Sequence, residues 1–135
     1  MKRRHFAGWV GSLPLAAMPL AWAQPKSIQI IVPFGPGGSG DISARMFADF
    51  ITRKTGQAVV VENRPGANGI LGVEMVRKAP ADGSVLLLAT TSTHLANPSL
   101  FKKLPYDPDK DFRLVGSFGT GSTYMLVRPD APWNT

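Results

Sequence analysis

Ile28-Gln29-Ile30-Ile31-Val32-Pro33-Phe34-Gly35-Pro36-Gly37-Gly38-Ser39-Gly40-Asp41 is the stretch that decides the fold. A β-branched run that stops at a Gly/Pro cluster reads as a buried strand entering a loop. Asp41 stands where a helix N-cap is wanted, and the helical pattern after it runs to about Thr55. Ile42, Met46 and Phe50 share one helical face, with Phe47 and Ile51 widening it, so that face is expected to meet the core. Arg45, Asp49 and Arg53 are spaced to pair on the polar side. Gly56 suits a left-handed C-cap.

The same grammar continues downstream. Val59-Val60-Val61 is a second strand, Glu62 to Gly69 a turn-rich loop, and Ile70 to Lys78 a short helix ended by Pro80. Asp82-Gly83 is a turn, and Val85 to Ala89 is a third strand. The order β-loop-α-β-loop-α-β predicts an α/β fold with a mainly parallel sheet. Beyond it, Thr90 to His94 reads as a polar loop, and Phe112–Phe118 and Tyr124–Arg128 read as strands. The chain then stops without a closing helix, which is expected of a fragment.

The chain has 135 residues, 44% apolar, enough for one domain with a core. The absence of cysteine excludes a disulfide scaffold, a thiolate zinc site, a thiol nucleophile and a diacylated anchor. Lys2, Arg3 and Arg4 precede a run from Phe6 to Pro25 with no charge, closed by Ala21-Trp22-Ala23. That is the order of a secretory signal peptide, residues 1–23, cleaved after Ala23. Arg3-Arg4-His5-Phe6 also fits a twin-arginine leader, an alternative to general secretion. Removing the leader leaves 112 residues with 12 basic and 9 acidic side chains, a net charge of +3. The basic residues are scattered, with no stripe interleaved with aromatics, which argues against nucleic-acid binding.

The chemistry concentrates in the glycine loop. A strand feeding a glycine-rich turn and a helix N-terminus exposes backbone N–H groups at a partial positive charge, a site for phosphate, sulfate or carboxylate. The alternative is a turn that needs glycine only for its dihedrals. Gly35, Gly37 and Gly40 also fit G-x-G-x-x-G, and Glu62 sits near the ribose position of a dinucleotide fold. Pro36 inside the loop, Asp41 directly after it and the leader argue against that reading. A Ser-His-Asp hydrolase has Ser92 and His94 to draw on, but no G-x-S-x-G elbow. His94 is the single histidine after the leader and reads as a structural hydrogen-bonding residue. Asp107, Asp109 and Asp111 alternate like calcium ligands, but lack the glycine and distal glutamate, so a solvated turn is expected. Glu62-Asn63-Arg64-Pro65 either holds the second loop by side-chain hydrogen bonds or is a surface turn.

The motifs Ile31 to Gly38, Asp41 with Ala44-Arg45, Val59 to Gly69, Ala81-Asp82-Gly83, Thr93-His94, Asn97-Pro98, Leu104 to Pro108 and Asp111-Phe112 occur in order. Together they resemble the substrate-binding proteins of tripartite tricarboxylate transporters, also called Bug-type solute-binding proteins, over roughly Ile28 to Val127. The resemblance implies a periplasmic-binding-protein-like (type II) α/β lobe with a mixed, mainly parallel sheet at residues 24–127, with residues 128–135 starting the crossover to a second lobe that is largely missing. It implies a binding protein rather than an enzyme, without a cofactor or metal. The ligand would be a small organic acid, the partners the membrane components of the transporter, and the full-length form a monomer. Carried over, the ligand contacts are Phe34, Gly37, Gly38, Ser39 and Asp41 in the first loop. Ala67, Asn68 and Gly69 in the second loop and Ser92 and Thr93 in the third complete the wall. Gly35 stands where many members have proline, and Ser39-Gly40 replaces a pair that is often of different size.

Overall fold

The computed structural model describes residues 27–119 together with positions 121, 126 and 128. The leader expected at residues 1–23 and most of the strand expected at Tyr124–Arg128 lie outside them.

Strand β1 (Ile28–Val32) forms the centre of a three-stranded sheet. Helix α1 (Ser39–Thr55) follows it, then β2 (Val59–Asn63), a 3₁₀ turn at Ala67–Gly69, helix α2 (Ile70–Lys78) and β3 (Val85–Leu87). β2 and β3 flank β1 on opposite sides, both parallel to it, with Ile30 opposite Val61 and Leu86. The described sheet is therefore wholly parallel, where a mixed, mainly parallel one was expected: all three of its strands are joined by helical crossovers. Its centre is a run of apolar residues because helices cover both faces. Chain direction reverses across β1: one crossover moves to β2 and the next moves back past β1 to β3. Right-handed crossovers in opposite directions put α1 and α2 on opposite faces.

The packing follows that alternation. Ile30 and Val32 point to one face and pack with Ala44 and Ala48 of α1 and with Leu88. Ile31 is also fully buried, as is Val73 of α2. Gly72 of α2 lies so close to the end of β1 that a Cβ there would stand 3.0 Å from Pro33 Cα and from the Arg64 carbonyl oxygen.

The structure corrects the sequence reading of α1 in two respects. Its N-cap is Gly38, and Asp41 is the third helical residue rather than the cap. The buried positions are Asp41, Ala44 and Ala48, whereas Ile42, Met46 and Phe50 are 53%, 69% and 50% exposed. The small alanine side chains let the helix lie close on the sheet, and that contact outweighs the larger apolar stripe. Arg53 pairs with Asp49 at 2.8 Å as expected, but Arg45 turns to Asp41. Gly56 closes the helix in the left-handed conformation.

Downstream, Thr90–His94 is not an open loop. Its residues enter a π-helical turn at Ser92–Ala96 that runs into the short α3 (Asn97–Leu100). Phe112–Phe118, expected as a strand, has no regular structure, and Leu114 and Val115 are more than 80% exposed. Phe118 nevertheless meets Phe47 of α1 edge-on at 5.0 Å. Among the described residues no helix is long and apolar enough to cross a membrane.

Candidate functional site

Because all three strands are parallel, the loops that leave β1, β2 and β3 rise from the same edge of the sheet. Strand order β2-β1-β3 makes that edge a topological switch point, where open α/β sheets bind their ligands. The loops meet at Gly69. A Cβ at this position would lie 2.8 Å from Thr93 Cγ2, 3.3 Å from Pro33 Cβ and 3.4 Å from Phe34 Cζ. The glycine is needed both for space and for its φ of 85°.

The first loop is clamped from beneath. Asp41 is 4% exposed. One carboxylate oxygen accepts from the Gly37 N–H at 2.9 Å and from Arg45 Nε at 3.1 Å. The other meets Arg45 at 3.0 Å and accepts from Asn63 Nδ2 at 3.0 Å. Asn63 also donates to the Phe34 carbonyl at 3.1 Å and accepts from Arg45 at 3.0 Å. The Arg45 guanidinium, first, and the Gly37 N–H hold the Asp41 carboxyl at about 2, below the usual 3.8. The pair is internally neutral, so the positive end of the α1 dipole is left facing the loop.

Gly38 has no side-chain cap, and the first intrahelical bond runs from the Ile42 N–H to the Gly38 carbonyl at 3.0 Å. By helix geometry the N–H groups of Gly38, Ser39, Gly40 and Asp41 then lack carbonyl partners within the helix. Gly38 and Ser39 are exposed. These two are the donors best placed to meet an anion, whereas Gly37 gives its N–H to Asp41.

The second loop is backbone-strained. Gly66, Ala67, Asn68 and Gly69 all have positive φ, at 142°, 47°, 53° and 85°. Two of the four are not glycine, and such strain collects at ligand-binding turns. The third loop is packed inward: Thr93 is fully buried, its hydroxyl donating to the Thr90 carbonyl at 3.1 Å and lying 2.9 Å from His94 Nδ1. Burial pushes the His94 imidazole below its ordinary pKa. Ser92 is half-buried in the same turn.

Of the ten residues expected to touch ligand, Phe34, Gly37, Gly38, Ser39, Ala67, Asn68, Gly69, Ser92 and Thr93 lie on the three loops at this edge. Asp41 lies there too, but below the surface, with its carboxylate committed to protein partners. Arg45, Asn97 and Tyr106 support these loops, and the sequence reading did not single them out for that; Asn63, which it offered as a brace of the second loop, braces the first instead through Phe34 and Asp41. The expected aspartate turn is present, with the Asp107 N–H donating to Asp111 at 2.8 Å. No group of acidic or histidine residues suited to a metal occurs among the described residues. One shallow depression is lined by Ser27, Gln29, Val60, Ser84 and Val85, and a second by Arg45, Ala48, Asp49, Thr52, Val59 and Val61.

Strand order also bears on the glycine motif. In the dinucleotide fold the third strand lies beyond the second, whereas here it lies on the other side of β1. Gly35-Gly37-Gly40 is thus a coincidence of spacing.

Residues 43–135 match the family model described as the tripartite tricarboxylate transporter family receptor. The chain belongs to this family, whose members are solute-binding receptors and not enzymes. It is similar to a UPF0065 protein of Bordetella pertussis, 38% identical over 81% of this chain and 33% of that protein. It is also similar to protein BugT of the same organism, 41% identical over 77% of this chain and 32% of that protein. The chain thus spans about a third of the length of the curated relatives it matches.

Among solved structures, MatC of Rhodopseudomonas palustris with bound malate is 40% identical, with a TM-score of 0.61 over 64% of this chain and 29% of that one. A second R. palustris protein, solved with adipate, is 34% identical, with a TM-score of 0.59 over 62% of this chain and 28% of that one. A periplasmic transporter at 47% identity has a TM-score of 0.59 over 61% of this chain and 28% of that one. The fold is that of a periplasmic-binding-protein-like α/β lobe.

Proposed function

We propose that this chain forms the first lobe of an extracytoplasmic receptor that captures small di- or tricarboxylates and delivers them to the membrane components of a tripartite transporter. The observation that carries this reading is the uncapped start of α1, placed at the switch point where three loops converge on Gly69. The ligand carboxylate accepts from the Gly38 and Ser39 N–H groups. Ala67 and Asn68 of the second loop and Ser92 of the third supply the side walls, with the buried Gly69 and Thr93 packed behind them. A carboxylate suits a site made of backbone donors because it accepts several bonds at once and is favoured by the helix dipole. Malate and adipate, bound by two structurally similar proteins, are ligands of this class.

The leader at residues 1–23 would send the protein to the periplasm with Gln24 as its new N-terminus, and a second lobe would close the other side of the cleft. Titration calorimetry of the full chain against malate, adipate and the uncharged malate diamide tests the reading. Saturable binding of a dicarboxylate without binding of the diamide is expected. Equal binding of the diamide, or no heat from any acid in the panel, overturns it.

A further inference from the structure

Asn97 is fully buried, and every polar atom of its side chain is engaged. Its Oδ1 accepts from Asn68 Nδ2 at 2.7 Å, and its Nδ2 donates to the Asn68 carbonyl at 3.1 Å. The same Nδ2 donates to the Tyr106 hydroxyl at 3.1 Å, which in turn donates to the Thr93 carbonyl at 2.5 Å. One asparagine on α3 thus grips both the side chain and the backbone of a residue 29 positions earlier. The residue gripped, Asn68, is held at φ 53°, a conformation that needs support outside glycine. Through Tyr106 the same network fixes the carbonyl of Thr93 at the opposite wall.

We propose that Asn97 is a positioning residue: a latch that makes the second loop (Ala67–Gly69) and the third (Ser92–Ala96) one mechanical unit. The two walls then hold a ligand together or lose it together, although they are joined covalently only through α2 and β3. Burial makes the coupling strong, since any partner that lets go leaves a polar group unsatisfied in the interior. The latch's effect on affinity rests on the carboxylate reading above; its effect on the loops does not.

Two variants of the full chain test it. Asn97→Ala removes the hub. Asn68→Gly removes only the exposed partner's side chain, in a backbone conformation glycine accepts, and leaves the fold intact. Amide hydrogen exchange without ligand is the first readout. The latch predicts that Asn97→Ala speeds exchange at Gly69, whose N–H bonds Gly66, and that Asn68→Gly speeds exchange at His94, whose N–H bonds Thr90. Each change should be about fivefold or more. The Arg64 and Leu88 amides, bonded to the β1 carbonyls of Val32 and Ile31, should keep the parent's rates. Malate titration is the second readout: Asn97→Ala, buried behind the wall, should weaken binding, Asn68→Gly at least as much, and the double variant should be no weaker than the worse single one. Faster exchange only in the loop that carries the substitution, or an equal rise across β1, overturns the latch. If the parent binds no acid of the panel, the carboxylate reading fails while the exchange result still decides the latch.

Discussion

Asp41 shows how one buried side chain can brace a loop. It lies beneath the first loop and draws Gly37, Arg45 and Asn63 together. Its carboxyl is held at about 2, below the usual 3.8. A depressed carboxyl pKa gives stability that is fully present above the unfolded value and is lost as pH falls through the folded one. Acid unfolding of the parent should therefore steepen between about pH 4 and pH 2. Asp41→Asn should flatten that part of the profile, read by circular dichroism against pH. An unchanged profile would show that the carboxylate is not tied down in this way. At the neighbouring loop, Ala67 occupies left-handed space at φ 47°. Ala67→Gly should leave stability unchanged or raise it by up to about 1 kcal/mol in a thermal melt, because relief of strain offsets the added freedom of the unfolded chain.

Helix α1 is where sequence pattern and structure part company. Periodicity picks out Ile42, Met46 and Phe50, widened by Phe47 and Ile51; the first three are exposed, whereas Phe47 packs against the core with Ala44 and Ala48. The expected consequences are opposite for the two faces. Ala44→Leu forces bulk between helix and sheet and should cost about 1–3 kcal/mol. Met46→Lys should stay within about 0.5 kcal/mol. Chemical denaturation of the two variants separates them, and the reverse order would restore the periodicity-based orientation. The strands were legible because β-branched runs end at Gly/Pro clusters, as Val32 does at Pro33 and Val61 does shortly before Pro65. The helix that follows β2 was legible too, bounded by Gly69 and Pro80. Orientation was not, because closeness of approach depends on small residues that carry little hydrophobic signal. The hub at Asn97 was not legible either: its value comes from Asn68 and Tyr106, which only the folded chain brings to it.

At the scale of the whole molecule, two crossovers in opposite directions turn a repeated strand-loop-helix grammar into a site. They bring three loops to one edge and direct the start of α1 toward it. The fold class was legible because the alternation of elements fixes a parallel sheet; the position of β3 beside β1 was not, since nothing local encodes which flank a strand joins. Among the described residues neither β2 nor β3 has an outer neighbour in the sheet. With those edges and the Ile42–Met46–Phe50 stripe uncovered, the 135-residue chain alone should associate as its concentration rises. Sedimentation equilibrium would show this, and a monomer at all concentrations would contradict it.

If backbone N–H groups at the start of α1 hold the ligand carboxylate, Ser39 offers a clean way to remove one of them. Ser39 is the first helical residue, where proline is well tolerated, and Gly38 before it is extended at ψ 167°, as a residue preceding proline should be. Ser39→Pro therefore deletes a single donor with little disturbance of the helix, and Ser39→Ala controls for the lost hydroxyl. The decisive measurement is the malate affinity of the parent and both variants by titration calorimetry, alongside their melting temperatures. Ser39→Pro should melt like the parent but bind more weakly by about 1.5–3 kcal/mol, roughly ten- to hundredfold, while Ser39→Ala stays near the parent. A folded Ser39→Pro that binds malate as tightly as the parent would contradict this and leave the glycine loop as a turn.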